Sequence, residues 1–158
     1  MAEEVKLYFV NKEMESIYNL KPQTSKSVGV DLMTPEDIHL NLLDSVFINF
    51  GIVIGIPEGY FAAIVPRSSL FKKYGVIQTN HFGVIDGDYS GKTDTLGMWM
   101  QCTSSRSEAR DDSNYDTFIP KYTRIAQLFI LPRIPFTLVP YKEHWGDESR
   151  GGFGSTGI

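Results

Sequence analysis

Residues 39–56 read "HLNLLDSVFINFGIVIGI", and past a Pro57-Glu58-Gly59 turn residues 59–66 continue "GYFAAIVP". Valine, isoleucine and phenylalanine dominate, the alternation is partial, and turn residues cut the run every few positions. β-Branched and aromatic side chains fit a pleated, half-buried surface. Short apolar runs between turns read as strands. The apolar region from Phe50 to Val65 is interrupted by Pro57, Glu58 and Gly59, so it does not read as a membrane span.

The same texture extends both ways from this stretch. "VKLYFV" (5–10), "SVGVDL" (27–32), "GVIQT" (75–79), "TLGMWMQCT" (95–103), "RIAQLFIL" (124–131) and "FTLVPY" (136–141) are further strand candidates. Many short strands at close intervals favour an all-β barrel or sandwich over α/β. Only "SSLFKKYG" (68–75) reads as a helix, with Ser68 or Ser69 as N-cap and Gly75 as terminator. No internal repeat is visible. "SSRSEARDDSNYD" (104–116) has low hydrophobicity and reads as a solvated loop. No apolar periodicity follows Trp145. The expected organisation is one domain over residues 1–145 and a flexible arm over 146–158.

A length of 158 residues is enough for one sizeable core. A net charge of −4 argues against a general nucleic-acid binder, which needs a basic face, and leaves room for a local basic pocket. The N-terminus lacks the basic, apolar and small-residue succession of a signal peptide. The single cysteine, Cys102, cannot form an internal disulfide, which fits a reducing cytoplasm. It reads as a small buried hydrophobe rather than a nucleophile.

Several stretches gather chemistry-bearing groups. "VPRSSLF" (65–71) brings Arg67, Ser68 and Ser69 together at a helix start. That is either an anion site or a capped helix with a surface arginine. "NHFGVIDGDYSGK" (80–92) contains an Asp-Gly pair suited to a hairpin turn. A turn alone needs neither both carboxylates, nor Tyr89, nor Gly83, Gly87 and Gly91. Asp86 follows an apolar run, where a carboxylate can accept a proton from water. Asn80 carries a donor and an acceptor suited to a base edge, and Tyr89 offers a flat face to a sugar. Asp31 lies inside the apolar "SVGVDL", and a buried acid calls for an arginine. The alternative is an edge-strand acid facing water. Gln127 sits on the "RIAQL" strand. His39, His81 and His144 are too scattered for a metal cluster, and no zinc-protease or serine-hydrolase signature occurs. A hard cation would arrive on substrate phosphates rather than be held directly by the protein.

Five of these stretches, taken in order, resemble the five motifs of the trimeric dUTP pyrophosphatase (dUTPase) family. They are "SVGVDL", "PRSSL", "GVIDGDYSG", "RIAQL" and "GGFGSTG", the third and fifth being the most specific. The resemblance runs from residue 27 to the C-terminus. It implies a distorted jelly-roll β-barrel with one short helix and a C-terminal arm closing over the site. It implies a homotrimer whose sites draw on more than one subunit. It also implies conversion of dUTP and water to dUMP and pyrophosphate, with Mg2+ held on the triphosphate. That reaction lowers dUTP and supplies dUMP for thymidylate synthesis.

By the same resemblance, Asp86 deprotonates the water that attacks the α-phosphorus. Arg67, Ser68, Ser69 and Gln127 contact phosphates. Asn80 and the backbone of Gly83, Val84 and Ile85 read uracil, and Tyr89 packs under the deoxyribose. Asp31 supports the metal-water and arginine network. In the arm, Phe153 stacks on uracil, Gly154, Ser155 and Thr156 donate to phosphates, and Arg150 reaches toward the γ-phosphate. Cytoplasmic placement is expected, in a host cytoplasm for a phage-encoded member.

Three departures stand out. The third motif ends Asp88-Tyr-Ser-Gly-Lys92 where the family usually has Asp-Tyr-Arg-Gly-Glu. The segment over 93–120 is longer than usual, which suits a bacteriophage-type insert and a protein partner bound through the 104–116 loop. Arg150 stands two positions nearer the glycines than the usual arm arginine. The competing readings are a dCTP deaminase of the same fold and a nucleotide-gated protein-binding module that uses the 104–116 loop.

Overall fold

The computed structural model describes residues 4–105 and 115–140. The strands are β1 (Lys6–Phe9), β2 (Val30–Met33), β3 (Ile38–Leu40), β4 (Ser45–Asn49), β5 (Ile52–Gly55), β6 (Tyr60–Pro66), β7 (Val76–Gln78), β8 (Gly83–Ile85), β9 (Gly97–Cys102), β10 (Thr117–Ile119) and β11 (Arg124–Pro132). Two short helices, α1 (Lys12–Glu15) and α2 (Ser69–Tyr74), complete the described elements. The strands form a four-stranded sheet in the order β2-β11-β6-β8, a three-stranded sheet β4-β9-β7, and the pairs β1-β5 and β10-β3. Every pairing is antiparallel.

Alternation places the core. On β9, Met98, Met100 and Cys102 point inward while Trp99 is exposed. On the centrally placed β6, Ala62, Ala63 and Ile64 are all fully buried, so the strand reads as a continuous apolar run. These residues join Leu32, Ile48, Phe50, Ile52, Ile54, Leu96 and Ile125 in the core. Burial of each large side chain stabilises by about 1.5–3 kcal/mol relative to exposure. Cys102 lies inside that core, and burial pushes its thiol pKa up, away from the thiolate a nucleophile requires.

Helix α2 ends at Gly75, whose φ of 65° is left-handed and whose N–H donates to the Phe71 carbonyl. At the other end Ser68 occupies the N-cap position without a side-chain cap bond, contrary to the expected capping. Helix α1 was not expected from the sequence. It is a single turn capped by Asn11, whose side chain accepts from the Glu13 N–H, and it is too short to show periodicity. Its position is fixed by Glu13, which accepts from Lys121 Nζ (2.8 Å) and from the Tyr122 hydroxyl. The strand expected at 136–141 is not formed over its described residues, 136–140. Among the described residues no ladder partner lies beside them, and Phe136, Leu138 and Val139 are exposed.

Tyr18 clips the N-terminal segment to β2. Its hydroxyl donates to the Met33 carbonyl and accepts from the Met33 N–H, both at 3.1 Å. Burial pushes its pKa up from 10.0 to about 12. A raised folded-state pKa means the contribution is complete below pH 10 and is lost as pH rises through about 12. Tyr18→Phe is therefore expected to cost about 1–2 kcal/mol at neutral pH. In denaturant titrations repeated at higher pH, that deficit shrinks between pH 10 and 12.

The 104–116 loop closes at its base, where Ser105 Oγ donates to the Asp116 carbonyl at 3.4 Å. Its residues 106–114, the boundary between the domain and the arm, and the arm itself lie outside the described residues.

Candidate active site

Two groupings of polar side chains form around the β2-β11-β6-β8 sheet. The first centres on Asp31 of β2, which is 5% exposed. Its Oδ2 faces Arg67 Nη1 at 3.4 Å and accepts from Arg124 Nη1 at 3.3 Å, while Oδ1 accepts from Gln127 Nε2 at 3.3 Å. The sheet order brings them together. On β11, Gln127 pairs with Asp31 on one side and with Val65 of β6 on the other. Arg67 leaves the end of β6, with its N–H held by the Ile125 carbonyl at 2.9 Å. One buried carboxylate thus fixes two guanidinium groups and an amide while neutralising one charge. The two partly exposed arginines keep a net positive character, suited to phosphate oxygens.

The second grouping surrounds the turn after β8. Val84, Ile85, Asp86, Asp88 and Tyr89 line an open cavity of about 460 Å3, together with Phe47, Asp94, Thr95 and Gly97. The turn is braced internally. The Tyr89 N–H donates to the Asp86 carbonyl at 3.1 Å, and the Gly91 N–H donates to Asp94 Oδ2 at 2.8 Å. The Tyr89 hydroxyl donates to the Thr95 carbonyl at 3.3 Å, which orients the ring. A Cβ on Gly97 would fall 2.3 Å from the Phe47 ring, so only glycine lets that ring lie across β9 at the cavity edge. Asp86 is solvent-exposed in the single chain. Strand β8 pairs with β6 on one side and forms the edge of its sheet, so part of its backbone is open to a ligand.

Some of the expected site residues fall into these two places. Asp31, Arg67 and Gln127 share the ionic cluster, with Ser68 and Ser69 directly following Arg67 at the start of α2. Val84, Ile85, Asp86 and Tyr89 share the cavity. Gly83 begins β8, and Asn80 lies in the exposed turn before it. Asp31, Arg67, Ser68, Ser69, Asn80, Gly83 and Gln127 do not line the Asp86 cavity. Arg150, Phe153, Gly154, Ser155 and Thr156 lie outside the described residues. No group of three or more His, Cys, Asp or Glu side chains placed to hold a metal ion occurs among the described residues.

Arg124 was missed. In a regular strand, residues 124 and 127 point to opposite faces. A register shift between Arg124 and Ala126 brings both side chains to Asp31. Phe47 was also missed, because the pairing of β4 with β9 rather than sequence proximity brings it to the cavity. Thr95, six residues after Tyr89, was missed as well, since it contributes a backbone carbonyl, which its residue type does not signal.

A sequence model of the dUTPase family matches residues 15–100. The chain is 37% identical over 128 residues to the SPbeta prophage-derived deoxyuridine 5'-triphosphate nucleotidohydrolase of Bacillus subtilis (strain 168), covering 81% of this chain and 82% of that protein. The Staphylococcus bacteriophage 80alpha dUTPase, solved with dUPNHPP, superposes with a TM-score of 0.79 at 22% identity, covering 99% of this chain and all of that one. A mutant dUTPase from phage phi11 of S. aureus, whose structure concerns the coordination of a structural Mg(II) ion, superposes with a TM-score of 0.74 at 20% identity, covering 91% of this chain and all of that one. The two structures establish the jelly-roll fold. The extent of the family match and the identity to the prophage protein establish that the chain belongs to the dUTPase family.

Proposed function

We propose that the protein hydrolyses dUTP to dUMP and pyrophosphate, with Asp86 activating the attacking water. The observation that carries this reading is the cavity shared by Asp86, Tyr89 and the edge strand β8, in a chain of this family. It combines a base, a flat sugar platform and open backbone groups for a nucleobase. Asp86 takes a proton from water as its oxygen bonds to the α-phosphorus, and the bond to the β-phosphate oxygen breaks in line. Charge grows on the phosphoryl oxygens and on the leaving pyrophosphate, so fixed hydrogen-bond donors lower the barrier most.

Arg67, Gln127, Ser68 and Ser69 supply those donors, and Asp31 holds Arg67 and Gln127 in place. Asn80 and the backbone of Gly83, Val84 and Ile85 read uracil. Tyr89, braced on Thr95, packs under the deoxyribose and leaves no room for a ribose 2'-hydroxyl. The donor set suits a cation that travels with the substrate, so Mg2+ is carried on the triphosphate, where it would neutralise phosphate charge.

The Arg67 cluster and the Asp86 cavity complete one another through assembly as a homotrimer, in which a site draws on more than one subunit. The segment after β11 supports assembly. Ile134, Phe136, Leu138 and Val139 are 77–86% exposed in the single chain, a row of apolar side chains that another subunit would cover. Residues 146–158 then act as an arm that closes over the nucleotide. Arg150 and Ser155 with Thr156 reach the phosphates, Gly154 allows close backbone approach, and Phe153 stacks on the base.

Pyrophosphate release measured with Mg2+ and dUTP, dCTP, dTTP or UTP tests the proposal. Turnover of dUTP is expected to exceed that of each of the others by at least about 100-fold in kcat/KM: cytosine leaves the base-reading polar groups unpaired, the 5-methyl of thymine does not fit the base pocket, and the ribose 2'-hydroxyl of UTP meets Tyr89. Release of ammonia from dCTP, or no pyrophosphate from dUTP, would overturn it.

A further inference from the structure

Gln78 is a polar side chain in the described core that neither grouping uses. It sits on β7 in register with the buried Met100, it is 1% exposed, and its neighbour on the same face, Val76, is fully buried. An apolar residue is the simple choice there. The glutamine instead donates from Nε2 twice, to the Ile64 carbonyl of β6 at 3.2 Å and to Asn80 Oδ1 at 3.0 Å. Its Oε1 has no hydrogen-bond partner, a desolvation cost that an apolar side chain would avoid. Gly83 packs against the same amide, where a Cβ would lie 3.4 Å from Nε2 and from the Ile64 oxygen. Gln78 therefore joins β6, the turn at Asn80 and the start of β8 at one buried point.

The bond to Asn80 has a chemical direction. A primary amide is planar, with its acceptor and its two donors on opposite sides. Because Gln78 occupies Asn80 Oδ1 from inside the fold, the Nδ2 donors are left for whatever binds outside. A pyrimidine carbonyl at C4, as in uracil, accepts from such donors. The amine at C4 of cytosine is itself a donor and meets them unfavourably. Without the Gln78 bond, the Asn80 amide can turn over and offer its oxygen to cytosine.

We propose that Gln78 is a positioning residue for base selection, fixing the Asn80 amide so that the site reads a carbonyl and refuses an amine at C4. This rests on the assignment of Asn80 to the nucleobase under the proposed function. The test compares kcat/KM for dUTP and dCTP pyrophosphate release in the unsubstituted protein, Gln78→Met, Asn80→Ala and the double variant, with thermal unfolding as a check of folding. Methionine keeps the volume and removes both donors. The dUTP-to-dCTP ratio is expected to fall about tenfold or more in Gln78→Met, and not to fall further when Gln78→Met is added to Asn80→Ala.

An unchanged ratio in folded Gln78→Met overturns the assignment, as does an equal fall in the Asn80→Ala background. If Gln78→Met does not fold, the heteronuclear NOE of the Asn80 side-chain amide in the unsubstituted protein decides. A value matching the rigid backbone supports the fixed amide, and a value matching mobile surface amides overturns it. Selective dUTP hydrolysis by the unsubstituted protein alongside an unmoved ratio removes only the role of Gln78. No dUTP hydrolysis by that protein removes the functional reading beneath it.

Discussion

Asp86→Asn is expected to lower kcat for dUTP by about 10²–10⁴-fold, the usual contribution of a positioned general base. Binding of an α,β-imido dUTP analogue should stay within a few-fold. Asparagine keeps the shape of the side chain at the end of β8 and can still hold a water, but it cannot accept the proton. The turn around it is held by the Tyr89 N–H bond to the Asp86 backbone carbonyl, which the substitution leaves intact. The cavity and the Tyr89 ring that lines it are therefore expected to survive, and the loss to fall on the chemical step. Single-turnover pyrophosphate release together with calorimetric binding separates the two quantities. Turnover within tenfold of the unsubstituted protein would remove Asp86 as the base.

The second large effect is expected at Asp31. Asp31→Asn replaces one of two acceptor oxygens with a donor, in a place where Arg67, Arg124 and Gln127 all supply donors. Either orientation leaves a donor facing a donor, and the positive charges lose their counter-charge. Stability should fall by about 2–4 kcal/mol, less than for a fully buried pair because both arginines are partly exposed. Turnover of dUTP should fall as well, since Arg67 and Gln127 lose the group that orients them. Denaturant unfolding and steady-state kinetics read the two losses. An unchanged midpoint with unchanged kcat/KM would show that the carboxylate organises neither.

These effects sit at places the sequence made legible to different degrees. Strands β4, β5 and β6 were visible because β-branched runs between turn residues leave little else to form, and Ile52, Ile54 and Ile64 are indeed buried. The partner of Asp31 was legible as a type, since a buried acid needs a cation, and Arg67 fills that place. Arg124 was not, because a register shift in β11 overrides the two-residue alternation from which facing is read. The expected strand at 136–141 misled for a related reason. Its apolar residues have the composition of a strand, but a ladder depends on a neighbour that one chain's sequence does not specify. Gln78 gave no sequence signal at all, since a single polar residue in a strand reads as solvent-facing until the packing around it is known. The cavity was half legible. Asp86 and Tyr89 lie close in sequence, whereas Phe47 and Gly97 reach it through the pairing of β4 with β9.

The central claim is that water held by Asp86 attacks the α-phosphorus of dUTP. Turnover in 18O-labelled water, followed by mass spectrometry of both products, tests it most directly. The account predicts one 18O atom in dUMP and none in pyrophosphate. Label in pyrophosphate, or formation of dUDP and orthophosphate, would contradict it.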